Sequence, residues 1–185
     1  GGVQGFGENI PVQSVTFQNK ELSHFIYYNN LGVGTPVQAQ TDPTTAVENY
    51  NYLQGKWKEG TPATSGGSGY NPGSIDYVKH VFPSNPADPQ GWTMCSSNLP
   101  YADRRALGTH GPFTFAAADT FNISIAFTTH HNIPHPCPDV FGLVKPAIDA
   151  ITNWSNTGTL EASPNLGIVQ HISAGQILTL GTDVP

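Results

Sequence analysis

Residues 24–28 read His-Phe-Ile-Tyr-Tyr, and this stretch predicts a β-strand. Aromatic and β-branched side chains favour strands because they fit the pleated, half-buried surface of a sheet. Residues 121–127 read Phe-Asn-Ile-Ser-Ile-Ala-Phe and alternate with a period of two. Such alternation is typical of an antiparallel strand with one buried face. We therefore expect the two phenylalanines and two isoleucines of this second stretch to lie in the core.

Other strands are predicted from shorter patterns. Residues 13–17 alternate, and residues 75–82 are rich in residues that favour strands. Phe113 and Phe115 show the same alternation as residues 121–127, and we expect the two stretches to pair as a hairpin. Near the end of the chain, residues 176–180 predict an edge strand.

Two amphipathic stretches predict helices. Residues 44–58 begin with a threonine cap and carry Tyr50, Leu53 and Trp57 at helical spacing, so these three side chains are expected to face the core. Residues 139–154 carry a second apolar stripe that Pro146 interrupts. A proline inside a helix removes a hydrogen bond, so the second helix either bends at this position or begins there.

Composition agrees with a loop-rich β protein. The 185 residues include 20 Gly and 16 Pro, and only 11% are charged. Turn-forming residues with so little charge favour short strands and long connections over a helical bundle. We predict a mainly β chain, an antiparallel β-sandwich-like domain with long loops and one or two short helices. Residues 1–185 are expected to form a single extracellular β-rich domain.

Charge and hydropathy exclude two classes of partner. The net charge is −6, and the seven Lys and Arg residues form no basic patch, so nucleic-acid binding is disfavoured. No run of eighteen apolar residues occurs, so no transmembrane segment is predicted. The chain begins at Gly1 with no signal peptide, which predicts a piece of a larger, processed protein.

The two cysteines, Cys95 and Cys137, match no metal-binding or redox spacing. In an extracellular protein they would pair and close a loop worth about 3–4 kcal/mol of stability. In a reducing compartment they would remain two free thiols. Both alternatives are compatible with the sequence.

Several blocks of the chain resemble a module of large secreted proteins of the Bacteroidota, many of which carry a type IX secretion sorting domain. The resemblance covers about residues 5 to 127. After Phe127 the family usually continues its strand with an aromatic-Ala-Arg run, and this chain has a different sequence there. The resemblance implies export to the cell surface or medium and no established reaction. The blocks are GFG at 5–7, HFIYYNN at 24–30, NYNYLQGKWKEGTP at 49–62, GGSG at 66–69, VFP at 81–83, DP at 88–89, Trp92, ADRR at 102–105 and GPFT at 111–114.

Asp103, Arg104 and Arg105 form the first candidate site. Two adjacent guanidinium groups can grip a carboxylate or sulfate. Alternatively, the three residues form a structural clamp, in which hydrogen bonds tie the acid and at least one arginine into the corner before the next strand. The lack of any other basic cluster favours the clamp.

A histidine-rich loop is the second candidate site. His130, His131, His135 and Asp139 are residue types that bind zinc. Prolines flank His135 and no HExxH motif is present, so only a loop metal site would be available. The alternative is a solvated loop without any cofactor.

No nucleophile elbow, phosphate loop or dinucleotide fingerprint occurs, which favours a protein that is not an enzyme. We expect a non-catalytic extracellular module with a structural, adhesive or assembly role, whose partners are other domains or chains of a surface assembly. One alternative is a carbohydrate-binding or hydrolytic domain, since exposed aromatic rings, with Trp92 the best candidate, would suit a glycan. Another is a subunit of an extracellular fibre. The acids that would have to converge for hydrolysis are Glu48, Glu59, Asp76, Asp88 and Asp103.

Overall fold

The computed structural model describes residues 11–30, 37–100, 102–131 and 133–157. Within these ranges the chain is mainly β with short helices, and two antiparallel sheets of two strands each carry the fold. The predicted strand at residues 176–180 lies outside the described residues. The elements are β1 (Val12–Phe17), β2 (His24–Asn29), a 3₁₀ helix (Gln38–Gln40), α1 (Ala46–Leu53), β3 (Arg104–Thr109), β4 (Ile125–His130), α2 (Val140–Leu143) and α3 (Lys145–Thr157).

The core surrounds the sheet formed by β2 and β3, where Asn29 lies opposite Arg104 and His24 opposite Thr109. The strand predicted at residues 24–28 is confirmed, and it is buried on both faces. On one face Tyr27 meets the edge of Trp57, with ring centroids 5.4 Å apart. On the other face Tyr28 contacts Tyr52, at 5.2 Å. Burial on both sides explains why this strand is a continuous apolar run and does not alternate.

The glycine-rich loop before residue 70 is part of this core. Gly69 has a φ of +81°, and a Cβ there would lie 3.1 Å from Cζ2 of Trp57 and 3.2 Å from Val81, so only glycine fits. Its carbonyl accepts hydrogen bonds from Nε1 of Trp57, at 2.8 Å, and from the backbone N–H of Thr64, at 2.9 Å. The loop therefore positions the central tryptophan.

Residues 75–82, predicted as a strand, form isolated bridges instead. The N–H of Phe25 donates to the carbonyl of Lys79, at 2.9 Å, and the N–H of Val81 donates to the carbonyl of Phe25, at 3.0 Å. Val78 donates to Ala63, at 2.9 Å, on a different part of the chain. Because successive donors serve different partners, no continuous ladder forms.

The first helix is shorter than predicted. Its capping box is present as expected, since Thr45 accepts from the N–H of Glu48 and the Glu48 carboxylate accepts in return. The backbone N–H groups of Thr44 and Thr45 both donate to the Glu48 carboxylate, and these bonds lower the pKa of Glu48. The helix ends at Leu53 because Gly55 adopts a φ of +69°, a conformation typical of a residue that follows a helix.

The face assignment of this helix was also wrong. Tyr50 and Leu53 are exposed, whereas Tyr52 is buried and donates from its hydroxyl to the carbonyl of Thr41, at 2.8 Å. Trp57 is in the core as expected, but it lies beyond the helix. The turn at Gly55 redirects the chain, and helical spacing no longer relates the tryptophan to the tyrosine.

The second helical stretch divides close to the predicted position. α2 and α3 meet at Val144, and α3 begins with Lys145 and Pro146. Asp139 precedes α2 and accepts from the N–H of Gly142, at 2.9 Å. Proline in the first turn has no N–H to satisfy, so it is tolerated there.

The strand predicted at residues 121–127 shows the largest difference. β4 begins at Ile125 and pairs with β1 rather than with Phe113 and Phe115, and Phe127 lies opposite Val15. The apolar face is the exposed one, and the better covered face carries small and polar side chains such as Ala126 and Thr128. Ser14 and Thr128 share a hydrogen bond across that inner face. Thr128 of β4 thus has a hydrogen-bond partner on the better covered face of the sheet. Because side chains of a strand alternate between faces, Ile125 and Phe127 lie on the exposed face.

Candidate functional site

Asp103 lies just before β3 and is bonded to the residue that follows β2. Its carbonyl accepts from the N–H of Asn30, at 2.8 Å, and its carboxylate accepts from the side-chain amide of Asn30, at 3.1 Å. These two bonds extend the pairing of β2 and β3 by one residue. The contacts of Asp103 are therefore those of a strand terminus.

Arg104 and Arg105 point in opposite directions because consecutive residues of a strand alternate between faces. Arg104 lies on the face of Tyr27, and its guanidinium donates to the carbonyl of Pro100. Arg105 lies on the other face and pairs with the carboxylate of Asp42, with Nη1 and Oδ1 2.8 Å apart. The two guanidinium groups do not converge on one point, so they do not form a common site for an anion.

Replacing Arg104 with alanine is expected to lower the free energy of unfolding by about 1–2 kcal/mol, because the half-buried side chain holds the Pro100 carbonyl. The Arg105→Ala change should cost less than about 1 kcal/mol, since this side chain is half exposed and its ion pair is screened by solvent. Urea titrations of both variants measure the difference. Unchanged stability in both, together with loss of binding to a sulfate or carboxylate probe, would contradict the clamp.

The described residues of the histidine loop are not grouped as a metal site. His130 shares a hydrogen bond with Thr128, at 2.8 Å, and His131 is exposed. Asp139 is occupied as the cap of α2 and also accepts from the amide of Asn85, at 2.7 Å. No three His, Cys, Asp or Glu side chains are grouped to hold a metal ion within the described ranges. The predicted set that included His135 is thus not brought together.

Hydrogen bonds and burial also shift the ionisation of this region. The backbone N–H of Gly142, the Asn85 amide and the backbone of Phe141 lower the pKa of the Asp139 carboxyl. Burial, assisted by the nearby His131, lowers the pKa of His130. Near neutral pH Asp139 is therefore charged, which suits the hydrogen bonds that it accepts from Gly142 and Asn85. His130 is neutral at this pH, which suits its partly buried position beside Thr128.

Cys95 and Cys137 are joined by a disulfide, with Cα atoms 6.1 Å apart. The bond connects the turn-rich segment after Trp92 to the segment that leads into α2. Trp92, predicted as the exposed aromatic ring, is half-buried instead. It meets the edge of Phe82, at 5.4 Å between centroids, and donates from Nε1 to the carbonyl of Gly67, at 3.0 Å.

A cleft of about 480 Å³ opens where β2 and β3 meet α1, and sequence reasoning did not identify it. Its volume falls in the range of small-molecule sites. The lining residues come from three separate segments of the chain, at 24, 50–56 and 109–112, and no local pattern joins them. The walls include His24, Tyr50, Leu53, Lys56, Thr109 and His110.

Close contacts and hydrogen bonds hold the two histidines of this cleft. Gly55 lies so close to the imidazole of His24 that a Cβ there would be 2.6 Å from Cδ2. His110 donates from Nδ1 to the carbonyl of Glu21, at 2.8 Å, and its ring stacks on Phe121. Burial, followed by the charges of Lys79 and His80, lowers the pKa of His24. The imidazole of His24 is therefore neutral at physiological pH.

A second cleft, of about 610 Å³, is larger but more open, and it lies between β1 and α3. Lys20 and Glu21 place charges of both signs in its wall. Its shallow shape and mixed charge define no particular ligand. The more enclosed cleft beside α1 is the better candidate for a binding site.

No family model, no curated protein and no solved structure matches this chain. The resemblance to secreted Bacteroidota modules therefore stays a prediction. Within the described ranges, no helix is both long and apolar enough to span a bilayer.

Proposed function

We propose that this chain is a non-catalytic extracellular module with an assembly role in a secreted or cell-surface protein. The single observation that carries the proposal is the exposed apolar face of the sheet formed by β1 and β4. On that face Val15 lies opposite Phe127, and Phe17 lies opposite Ile125. Three of these four side chains are substantially exposed, and Phe127 is 68% exposed.

The rest of this face is uncharged. Gln13 and Thr129 lie opposite one another and complete it beyond Val15 and Phe127. Contiguous exposed apolar side chains without charge are typical of surfaces that bind other proteins. An uncharged face also brings no like charges together when two copies meet, so the proposed occupant is a second copy of this chain.

The pairing of the strands supports the same conclusion. Within the described residues, β1 and β4 pair only with one another. A two-stranded sheet is marginally stable in water and gains stability from a further strand or a packed layer. Each outer edge also presents backbone groups that pair readily with another chain.

The extracellular location is part of the proposal and rests on two supports. A disulfide persists in oxidising compartments and is rare in the cytosol. The blocks that resemble secreted Bacteroidota modules imply export to the cell surface or medium. A sandwich-like arrangement of the two sheets and an adhesive role belong to the same proposal, and a subunit of an extracellular fibre is its alternative.

The residues around the cleft beside α1 do not favour hydrolysis. The described residues that line the cleft beside α1 include no Asp or Glu, whereas glycoside hydrolysis requires two carboxyl groups in one cleft. Among the candidate acids, Glu48 caps α1 and Asp103 is bonded to Asn30. Both have structural partners.

The Phe127→Ser change tests the proposal by sedimentation velocity over a concentration series. The unmodified chain should self-associate, and this variant should weaken association about 30-fold, the equivalent of about 2 kcal/mol for a central apolar contact. Phe141→Ser is the matched control because Phe141, on α2, is 57% exposed and lies outside the sheet. A chain that stays monomeric at millimolar concentration, or an equal effect of both variants, would overturn the proposal.

A further inference from the structure

The cleft beside α1 combines an aromatic wall with a polar floor. Tyr50 is 60% exposed on α1, and Leu53 lies one turn further along the same helix. His24 and Thr109 are directly opposite in the pairing of β2 with β3, so their side chains share the face that the helix covers. An exposed ring beside a half-buried histidine and a buried threonine suits a ligand that has one apolar face and a polar edge.

Two of the residues that line this cleft each carry a polar atom without a hydrogen-bond partner in the structure. These atoms are Nδ1 of His24 and Oγ1 of Thr109, and both atoms are buried. Thr109 as a whole is only 8% exposed. A buried polar atom without a partner is costly, so such atoms mark places where another molecule completes the bonding. Because the two residues are opposite one another in the ladder, one bound group can serve both.

The charge of the cleft is positive in an otherwise acidic chain. Lys56 lines the cleft, and its ammonium donates to the side-chain carbonyl of Gln54, at 2.8 Å, which orients it. None of the described residues in the lining is Asp or Glu. The net charge of the chain is −6, so a cleft with a lysine and no acid differs from the average surface. An ammonium group favours a carboxylate as its partner.

We propose that this cleft binds a hexuronic acid residue of an acidic glycan. The sugar ring would lie with its apolar face on Tyr50, and its carboxylate would accept from the ammonium of Lys56. Ring hydroxyls donate and accept hydrogen bonds, so they would satisfy Nδ1 of His24 and Oγ1 of Thr109. The site shares no residue with the exposed face of β1 and β4, so it is independent of the proposed self-assembly.

Isothermal titration of the full chain with trigalacturonate tests the proposal, and the fully methyl-esterified trisaccharide is the matched ligand. The ester keeps the ring and its hydroxyls but has no charge. We expect saturable binding of trigalacturonate and at least about tenfold weaker binding of the ester, because the charge-assisted bond to Lys56 is lost. No saturable binding, or equal affinity for both ligands, would overturn the proposal.

Variants locate the site. Tyr50→Ala and Lys56→Gln should each weaken binding at least about tenfold. Tyr77→Ala and Lys145→Gln are the matched controls, since Tyr77 is also 60% exposed and neither residue lines the cleft. Equal losses in a variant and its control would show that the sugar binds elsewhere.

Thr109→Val separates binding from folding. The change keeps the shape of the side chain and removes the hydroxyl that has no partner, so thermal stability should be retained or should rise. Binding of trigalacturonate should nevertheless fall by a few fold to tenfold. Unchanged affinity would overturn the role of the hydroxyl and with it the proposed orientation of the sugar. Self-association measured by sedimentation should stay the same in all these variants. The proposed sugar site and the proposed self-association through β1 and β4 can therefore be refuted independently of one another.

Discussion

Replacing Trp57 with alanine is expected to lower the free energy of unfolding by about 3–5 kcal/mol. The indole is fully buried, meets the rings of Tyr27 and Tyr70 edge-on, and donates to the carbonyl of Gly69. Removing it leaves a cavity between the sheet of β2 and β3 and the glycine-rich loop. Since whole domains are stable by only about 5–15 kcal/mol, this one change should bring the chain close to unfolding at 37 °C.

Urea unfolding followed by circular dichroism measures this loss without relying on the fluorescence of the mutated residue. Trp57→Phe is the matched control, because it keeps a ring in the core and removes the indole N–H. The control should lose about 1–2 kcal/mol, since the Gly69 carbonyl still accepts from Thr64. A loss below about 1 kcal/mol for the alanine variant would mean that this cluster is not the core of the folded chain.

Removing the disulfide should have an effect of similar size. The bond joins residues 42 positions apart, and closing a loop of this length is worth about 4 kcal/mol in the chain-entropy model. The double variant Cys95→Ser with Cys137→Ser should lose that amount in urea unfolding. The reduced wild-type chain is expected to match it, because both lack the same cross-link.

Single replacements of Cys95 or Cys137 provide the internal check. Each should cost as much as the double change, since either one breaks the same bond. The native chain, kept under oxidising conditions, can be alkylated without a reductant and its intact mass measured. A mass that corresponds to two alkylated thiols would contradict the disulfide. So would a double variant that keeps the full stability of the parent.

Local sequence patterns predicted the features that local interactions determine. The strand at residues 24–28, the threonine cap with Glu48 and the helix break beside Pro146 all appear in the structure. Each depends on side chains within a few positions of one another, such as the reciprocal bonds of a capping box. These parts of the fold could be predicted because the physical cause and its sequence signal lie in the same short segment.

β3 shows why prediction failed elsewhere. Arg104–Thr109 reads Arg-Arg-Ala-Leu-Gly-Thr, which has little intrinsic preference for a strand. It is a strand because β2 supplies its backbone partners along the whole register. In the same way, β4 pairs with β1 across more than a hundred residues, and this pairing turned its apolar face outward. Alternation predicted two faces but not which of them the rest of the chain would cover.

The cluster at Asp103–Arg105 and the cleft beside α1 also show the difference between local sequence patterns and contacts between distant segments. The adjacency of Asp103, Arg104 and Arg105 in the sequence allowed a common anion site as the alternative to a structural clamp, and the strand directs the two arginines to opposite faces. The cleft beside α1 has no sequence signature, because His24, Tyr50 and Thr109 meet only when β2, α1 and β3 assemble.

The sequence by itself thus determined the positions of β1 and β2, the cap of α1, the break before α3 and the availability of one cysteine pair. Only the tertiary structure decided that the buried strand at residues 24–29 selects β3 as its partner, and that Val15 and Phe127 remain exposed. It also decided that two polar atoms lie without partners beside an exposed tyrosine. The physical reason is that burial and pairing are properties of contacts between distant segments, whereas periodicity and capping belong to a single segment.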